Sequence, residues 1–237
     1  MKASRADVCV VACAELFRGD GEILASPMGS IPALGARLAR LTFEPDLLIS
    51  DGEALLLADD LSTVEGWLPY RKVFDVVAHG SRHVVMGVNQ LDRHGNQNIS
   101  CIGQHARPTR QLLGFRGAPG NTVNHRTSYW VPRHSRRVFV DAVDVVSGVG
   151  YHRLDGPAGR FHDVYRVVTN LAVLGFVDGT MRLVSTHPGV TPEEVAEQTG
   201  FPLDTTDVGT TRTPTDEELR LLDELDPDGR RHREVME

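Results

Sequence analysis

The chain reads as an α/β fold with a mostly parallel central sheet, flanked by helices and extended by an antiparallel meander. Three features lead there. Helical and strand patterns alternate through the N-terminal half, several strands are the continuous apolar runs of doubly buried strands, and three closely spaced β runs follow residue 164. With 237 residues, 41% hydrophobic and 24% charged, the chain can bury one sizeable core and has a globular composition. One domain over residues 1–228 and a polar tail over 229–237 are expected.

Residues 6–18 place Val8, Val11, Ala12, Leu16 and Phe17 at helical spacing, and Gly19-Asp20-Gly21 ends that helix. A short strand over 22–25 follows. Ser30 then offers a cap before Pro32, and a second helix runs over 33–41. Pro45 breaks it, and 46–50 is an apolar strand. Residues 73–78 end a helix, 84–88 form a buried strand, and 111–115 and 137–140 are two more strands. The runs 164–168, 171–176 and 181–185 are separated by Thr169-Asn170 and Asp178-Gly179, pairs suited to hairpin turns. Thr191-Pro192-Glu193-Glu194 and Thr215-Asp216-Glu217-Glu218 each set a Glu three residues after a capping Thr, so a helix starts at each. Residues 204–215 read as a polar linker, and the chain beyond Pro227 as a frayed tail.

A formal charge of −7 disfavours a dedicated nucleic-acid binder, which needs a basic face. Arg126, Arg133, Arg136 and Arg137 form a local basic run, either a solvated patch or a site for a phosphorylated group. Cys9, Cys13 and Cys101 have no zinc-type spacing, and reduced buried thiols fit them better than a metal. Neither a signal-peptide core nor an apolar run of about 18 residues is present, so a soluble cytoplasmic protein without membrane contact is expected.

Ligands of open α/β sheets gather beyond the carboxyl ends of strands, and three loops occupy such places. In Ser50-Asp51-Gly52-Glu53, two carboxylates flank a glycine. That suits acid–base work, although Asp51 equally suits capping the segment that follows. The stretch from Gly87 to Asn98 is dense in amides, among them Asn89 and Gln90, whose paired donors and acceptors suit a carbonyl-rich ligand. Within it Asp92 to Gly95 is also a good turn, and His94 is either a base or an exposed loop residue. In Arg116-Gly117-Ala118-Pro119-Gly120-Asn121-Thr122-Val123-Asn124-His125, Gly117 and Gly120 permit close backbone approach and can aim amides at an anion; a tight turn explains them equally. The Lys-Ser/Thr ending of a phosphate loop is missing, and His125 is a second candidate acid–base group. Without a Gly-x-Ser-x-Gly elbow or a Cys–His pairing, a nucleophilic serine or cysteine hydrolase is disfavoured.

These loops carry a resemblance. The run His83-Val84-Val85-Met86-Gly87-Val88-Asn89-Gln90-Leu91-Asp92-Arg93-His94-Gly95-Asn96-Gln97-Asn98 resembles the β-subunit motif of family I CoA-transferases of the glutaconate type. Gly117-Ala118-Pro119-Gly120-Asn121 is similar to that family's glycine loop, and His187-Pro188-Gly189-Val190-Thr191-Pro192-Glu193-Glu194-Val195 to its last helix entry. Transferases of this family carry a nucleophilic glutamate in Ser-Glu-Asn-Gly; here Ser50-Asp51-Gly52-Glu53 stands instead. An aspartate is one methylene shorter, and a misplacement of about 1 Å can cost roughly 100-fold in rate. The Asp51 motif, Glu65-Gly66-Trp67, Asn121-Thr122-Val123-Asn124-His125 and Thr127-Ser128-Tyr129-Trp130-Val131 together resemble a narrower branch, the β subunits of actinobacterial steroid ring-cleaving hydrolases.

That resemblance implies a family I CoA-transferase β-subunit fold, an α partner in an α2β2 assembly, and hydrolytic opening of a cyclic β-keto enoyl-CoA. CoA is then part of the substrate, and no separate cofactor or metal is required. Asp51 or Glu53 would position water. Asn89, Gln90, Gly87, Gly117, Gly120 and Asn121 would orient the thioester and its oxyanion, and Arg116 or Arg126 would meet a carboxylate or CoA phosphate. Trp67, Tyr129 and Trp130 sit in loop-like segments suited to a partner interface. Two other readings stand beside this one: a genuine CoA-transferase with an acidic nucleophile, and a non-catalytic structural subunit.

Overall fold

A computed structural model describes residues 3–51, 55–58, 60–68, 72, 75, 79, 81–154 and 156–235. Glu53 and nearly all of the helix end expected over 73–78 lie outside the described residues. The apolar N-terminal run folds as α1 (Arg5–Glu15), started by a capping box between Ser4 and Asp7. Next come β1 (Leu24–Pro27), two residues later than expected, and α2 (Ser30–Thr42). Ser30 is the first residue of α2 and not its cap. The cap is Gly29 at φ +108°, a backbone conformation that side chains disfavour. At Gly35 a Cβ would lie 2.7 Å from Cys13 Cβ, so α1 and α2 touch backbone to backbone there.

The strands that follow are β2 (Leu48–Ser50), β3 (Leu55–Leu57), β4 (Val64–Trp67) and β5 (Arg82–Gly87). Two small ribbons pair β6 (Gln90–Leu91) with β7 (Gln97–Asn98), and β8 (Cys101–Ile102) with β9 (Arg110–Gln111). A short helix α3 (Ala118–Asn124) leads into β10 (Arg126–Val131). The rest comprises β11 (Asp163–Thr169), β12 (Ala172–Val177), β13 (Thr180–Thr186), α4 (Pro192–Glu197), β14 (Gly209–Thr210), α5 (Asp216–Leu225) and α6 (Arg231–Glu234). Among the described residues, ten strands form one sheet in the order β14-β13-β12-β11-β10-β5-β1-β2-β3-β4. Its heart, β2-β1-β5-β10-β11, is parallel. The expected meander β11-β12-β13 is antiparallel, and its turn residues Asp178 and Gly179 both have positive φ, as a twisted two-residue hairpin requires. A second antiparallel margin, β2-β3-β4, is not evident in the pattern of residues.

Alternation along the central strands separates two cores. Val85, Trp130 and Val168 face α1 and α2, whereas Val84, Met86, Tyr129 and Val167 face the loops and α3 on the other side. Tyr129 and Trp130, expected in a partner-facing loop, lie instead on β10 at 0% and 2% exposure. Two polar residues of β10 are satisfied internally: Ser128 bonds His83, and Thr127 bonds the Asn121 and His125 carbonyls. The strand expected over 137–140 is a turn with one bridge, Leu91 to Phe139, because the Ser135 carbonyl takes both the Val138 and Phe139 amides. Residues 111–115 contribute only the end of β9, and the supposed linker contains the edge strand β14.

The tail expected to fray beyond residue 228 closes onto the helix layer. Arg231 is buried and pairs with Asp7, Asp223 and Asp226, and Glu234 accepts from Trp130 Nε1 at 2.6 Å. Cys9, Cys13 and Cys101 are buried free thiols; burial pushes Cys9 up to about 12 and raises Cys13 well above its ordinary value. Among the described residues, no helix is long and apolar enough to cross a membrane.

Candidate active site

The carboxyl ends of β2, β1 and β5 lie side by side. The registers Ala25–Ile49 and Pro27–Val85 put Asp51, just past β2, level with Pro27 and Val85, and Gly87, the last residue of β5, two residues further along. A buried polar chain crosses this region. Ser50 Oγ meets the Ala25 carbonyl and Ser26 Oγ, each at 3.2 Å. Arg82 Nε donates to Ser26 Oγ at 3.1 Å, and its Nη1 to Asn121 Oδ1 at 3.4 Å. Asn121 Nδ2 turns to Met86 Sδ at 3.4 Å. Four elements thus meet in one cluster, and it joins the Ser50-Asp51 and Gly117–Asn121 motifs.

Arg82 is 5% exposed, yet among the described residues it has no carboxylate partner. Burial alone pulls its guanidinium below the ordinary value. A buried charge of this kind is costly unless an anion compensates it.

Asp51 caps the segment that follows it. Its amide donates to the Leu55 carbonyl at 2.9 Å and its Oδ1 accepts from the Leu55 amide at 3.0 Å, which closes the β2–β3 reversal. The residue remains exposed at the mouth of the cluster.

The amide-rich loop divides. Gln90 is buried and committed: its Nε2 donates to Asp144, and its Oε1 accepts from Asn98 and from the Asp144 amide. It holds the loop to Asp144, with one Nε2 N–H left over. Asp92 likewise accepts the His94 and Asn96 amides and so builds the turn. His94 bonds the Gly179 carbonyl and packs 4.3 Å from the His152 ring, so it is anchored to the meander. Asn89 and Gly87 are exposed, and a Cβ at Gly87 would meet open space.

The glycine motif is the first turn of α3. The Ala118 amide is taken by the Phe115 carbonyl and Pro119 has no N–H, so the Gly120 amide has no main-chain acceptor among the described residues. Gly117 is the cap at φ −85°, where a Cβ would make only ordinary contact, so the site does not force a glycine there. Arg116 is exposed at φ +49°. His125 is buried at the end of α3, where its amide bonds the Asn121 carbonyl. Arg126 is committed to the fold: Asp20 and Asp163 each hold it at 2.9 Å and its guanidinium covers the Tyr165 ring. Arg82 and Ser26 are the members that sequence reasoning misses. The signal was the period-two alternation Arg82, Val84, Met86, which sets the arginine on one face of a buried strand.

No family model matches the chain. The fold is that of family I CoA-transferase subunits. The crystal structure of glutaconate CoA-transferase from Acidaminococcus fermentans superposes with a TM-score of 0.81 at 23% identity, covering 94% of each chain. Within that fold the chain belongs to the family of cholesterol ring-cleaving hydrolase IpdB subunits. The Rhodococcus jostii IpdB subunit is 59% identical over 99% of this chain and 97% of its own length. The crystal structure of Rhodococcus jostii IpdAB matches with a TM-score of 0.95 and 58% identity, covering all of both chains.

Proposed function

We propose that this chain is the β subunit of a heteromeric hydrolase that opens a ring of a cholesterol-derived cyclic β-keto enoyl-CoA. Water adds to the ring carbonyl, the adjacent carbon–carbon bond breaks, and its electron pair passes to the thioester α-carbon as an enolate that is then protonated. The full-length identity with the Rhodococcus jostii ring-cleaving subunit carries this reading. The site supports it, since Asp51 is short and tied to the Leu55 amide, poor properties for a covalent nucleophile and suitable ones for positioning water. Asn89, Gly87, the Gly120 amide and Asn121 orient the thioester, and Arg116 faces solvent where a CoA phosphate can reach it.

The α subunit supplies the remaining wall of the site in an α2β2 assembly. Trp67, 67% exposed on the edge strand β4, offers an aromatic anchor for it. The principal base belongs to that partner, CoA arrives with the substrate, and three free thiols suit a reducing cytoplasm. The test is the purified αβ complex given the cyclic thioester and no acceptor acid. Ring opening is expected without an acceptor, with Asp51→Asn lowering kcat roughly 100-fold. Exchange of label between acyl-CoA and free acid with the ring intact, or a hydroxylamine-trapped acyl group on this chain, would install CoA transfer in its place.

A further inference from the structure

Among the described residues, Arg82 is a buried cation with no anionic partner. It sits at the start of β5 with its side chain on the face opposite α1 and α2, and two of its five N–H bonds go to Ser26 Oγ and Asn121 Oδ1, both neutral. Elsewhere the chain does not leave a buried arginine so placed: Arg231, equally buried, holds three carboxylates. The neutral partners fix the orientation of the guanidinium plane, since Nε and Nη1 are both held. The other N–H bonds have no partner among the described residues. The cluster adjoins Ser50, one residue before Asp51, and Asn121 in the same turn of α3 as the Gly120 amide.

We propose that Arg82 is the oxyanion receptor of the site, donating N–H bonds to the enolate oxygen that a β-keto thioester develops. This rests on the functional reading above and deepens it. No proton or electron pair passes to Arg82: the pair released from the broken carbon–carbon bond is delocalised onto the oxygen, and the guanidinium neutralises it. A planar, permanently charged fork in a dry setting is well matched to that task. Before substrate binds, the cation is solvated by two neutral oxygens and keeps its charge for the reaction.

The test uses the purified αβ complex and acetoacetyl-CoA, a β-keto thioester that has no ring to open. Its enolate absorbs in the near ultraviolet, so binding reports oxyanion stabilisation directly and independently of hydrolysis. The wild-type complex is expected to bind this probe with its enolate fraction raised roughly tenfold at fixed pH, and Arg82→Met to abolish that signal while the complex still assembles. Arg82→Lys should keep a weaker signal, which separates loss of charge from loss of folding. With the cyclic substrate, Arg82→Met should lower kcat/KM roughly 100-fold, the usual cost of removing an oxyanion donor. An equal enolate fraction in wild type and Arg82→Met, or none in wild type, would overturn the proposal. So would an Arg82→Met complex that falls apart while Arg82→Lys holds together without any enolate signal, because the guanidinium would then be serving a carboxylate of the partner. A wild-type complex that raises the enolate fraction but never opens the ring would refute the functional reading and leave Arg82 in place.

Discussion

Arg231 and Arg82 occupy opposite sides of the same sheet and are buried to the same degree, yet their surroundings differ completely. Arg231 sits in the helix layer among Asp7, Asp223 and Asp226, with further bonds to the Leu222 and Asp226 carbonyls. Arg82 sits among two neutral oxygens. Charge that is matched inside the chain stabilises the fold; charge left unmatched awaits something from outside. A third solution appears beside the meander, where His134 and His187 stay buried by remaining uncharged against threonine hydroxyls and a carbonyl.

The largest expected effect sharpens the matched side. Arg231→Met strands Asp7 and Asp226 without their cation, and the loss should reach about 3–5 kcal/mol by urea denaturation. If stability barely moved, the pairing would not be what distinguishes Arg231 from Arg82. The histidines give the next effect. Burial lowers His134 to about 3 and His187 to about 4, from an ordinary 6.5. Unfolded, both take a proton as pH falls through 6.5, whereas the folded chain refuses it until near 4 or below. The unfolded state therefore binds more protons across that interval. Stability should fall from pH 6.5 towards pH 4 by up to about 1.4 kcal/mol per pH unit for each histidine. His134→Gln should roughly halve the slope of unfolding midpoint against pH; an unchanged slope would mean that this residue is not held neutral. The smallest effect tests the rim of the matched side, where Thr215 caps α5 and positions Glu218 against Arg212. Thr215→Ala should cost about 1 kcal/mol, read as a modest drop in Tm.

Much of the fold was legible because local rules and tertiary packing agreed. Both threonine capping boxes, the Asp178-Gly179 hairpin and the buried apolar run of β5 stand where their residues indicate, whereas β2 is shorter than its apolar run and leaves Leu48 exposed. β10 was illegible because its alternation of Thr127, Ser128, Tyr129 and Trp130 mixes polar and aromatic groups, and only tertiary partners such as His83 explain the polar ones. The tail was misread for a similar reason, since a run of charged residues looks solvated until Asp7 and Asp226 are seen beside Arg231. In the candidate site, motif position marks Asp51 and Asn121, while Gln90 and Arg126 commit polar groups to neighbours distant in sequence that no local pattern reveals. Arg82 lies outside every motif of function, and only its missing counterion makes it visible.

The close seating of α1 against α2 at Gly35 has an experimental use. With Cys9 and Cys13 sealed beneath that contact and their thiols held protonated by burial, a thiol-reactive dye can label them only in the moments when the helical layer lifts away. The native residues therefore serve as a clock for local opening, and comparing labelling rates with and without bound thioester would time that breathing without any engineered probe.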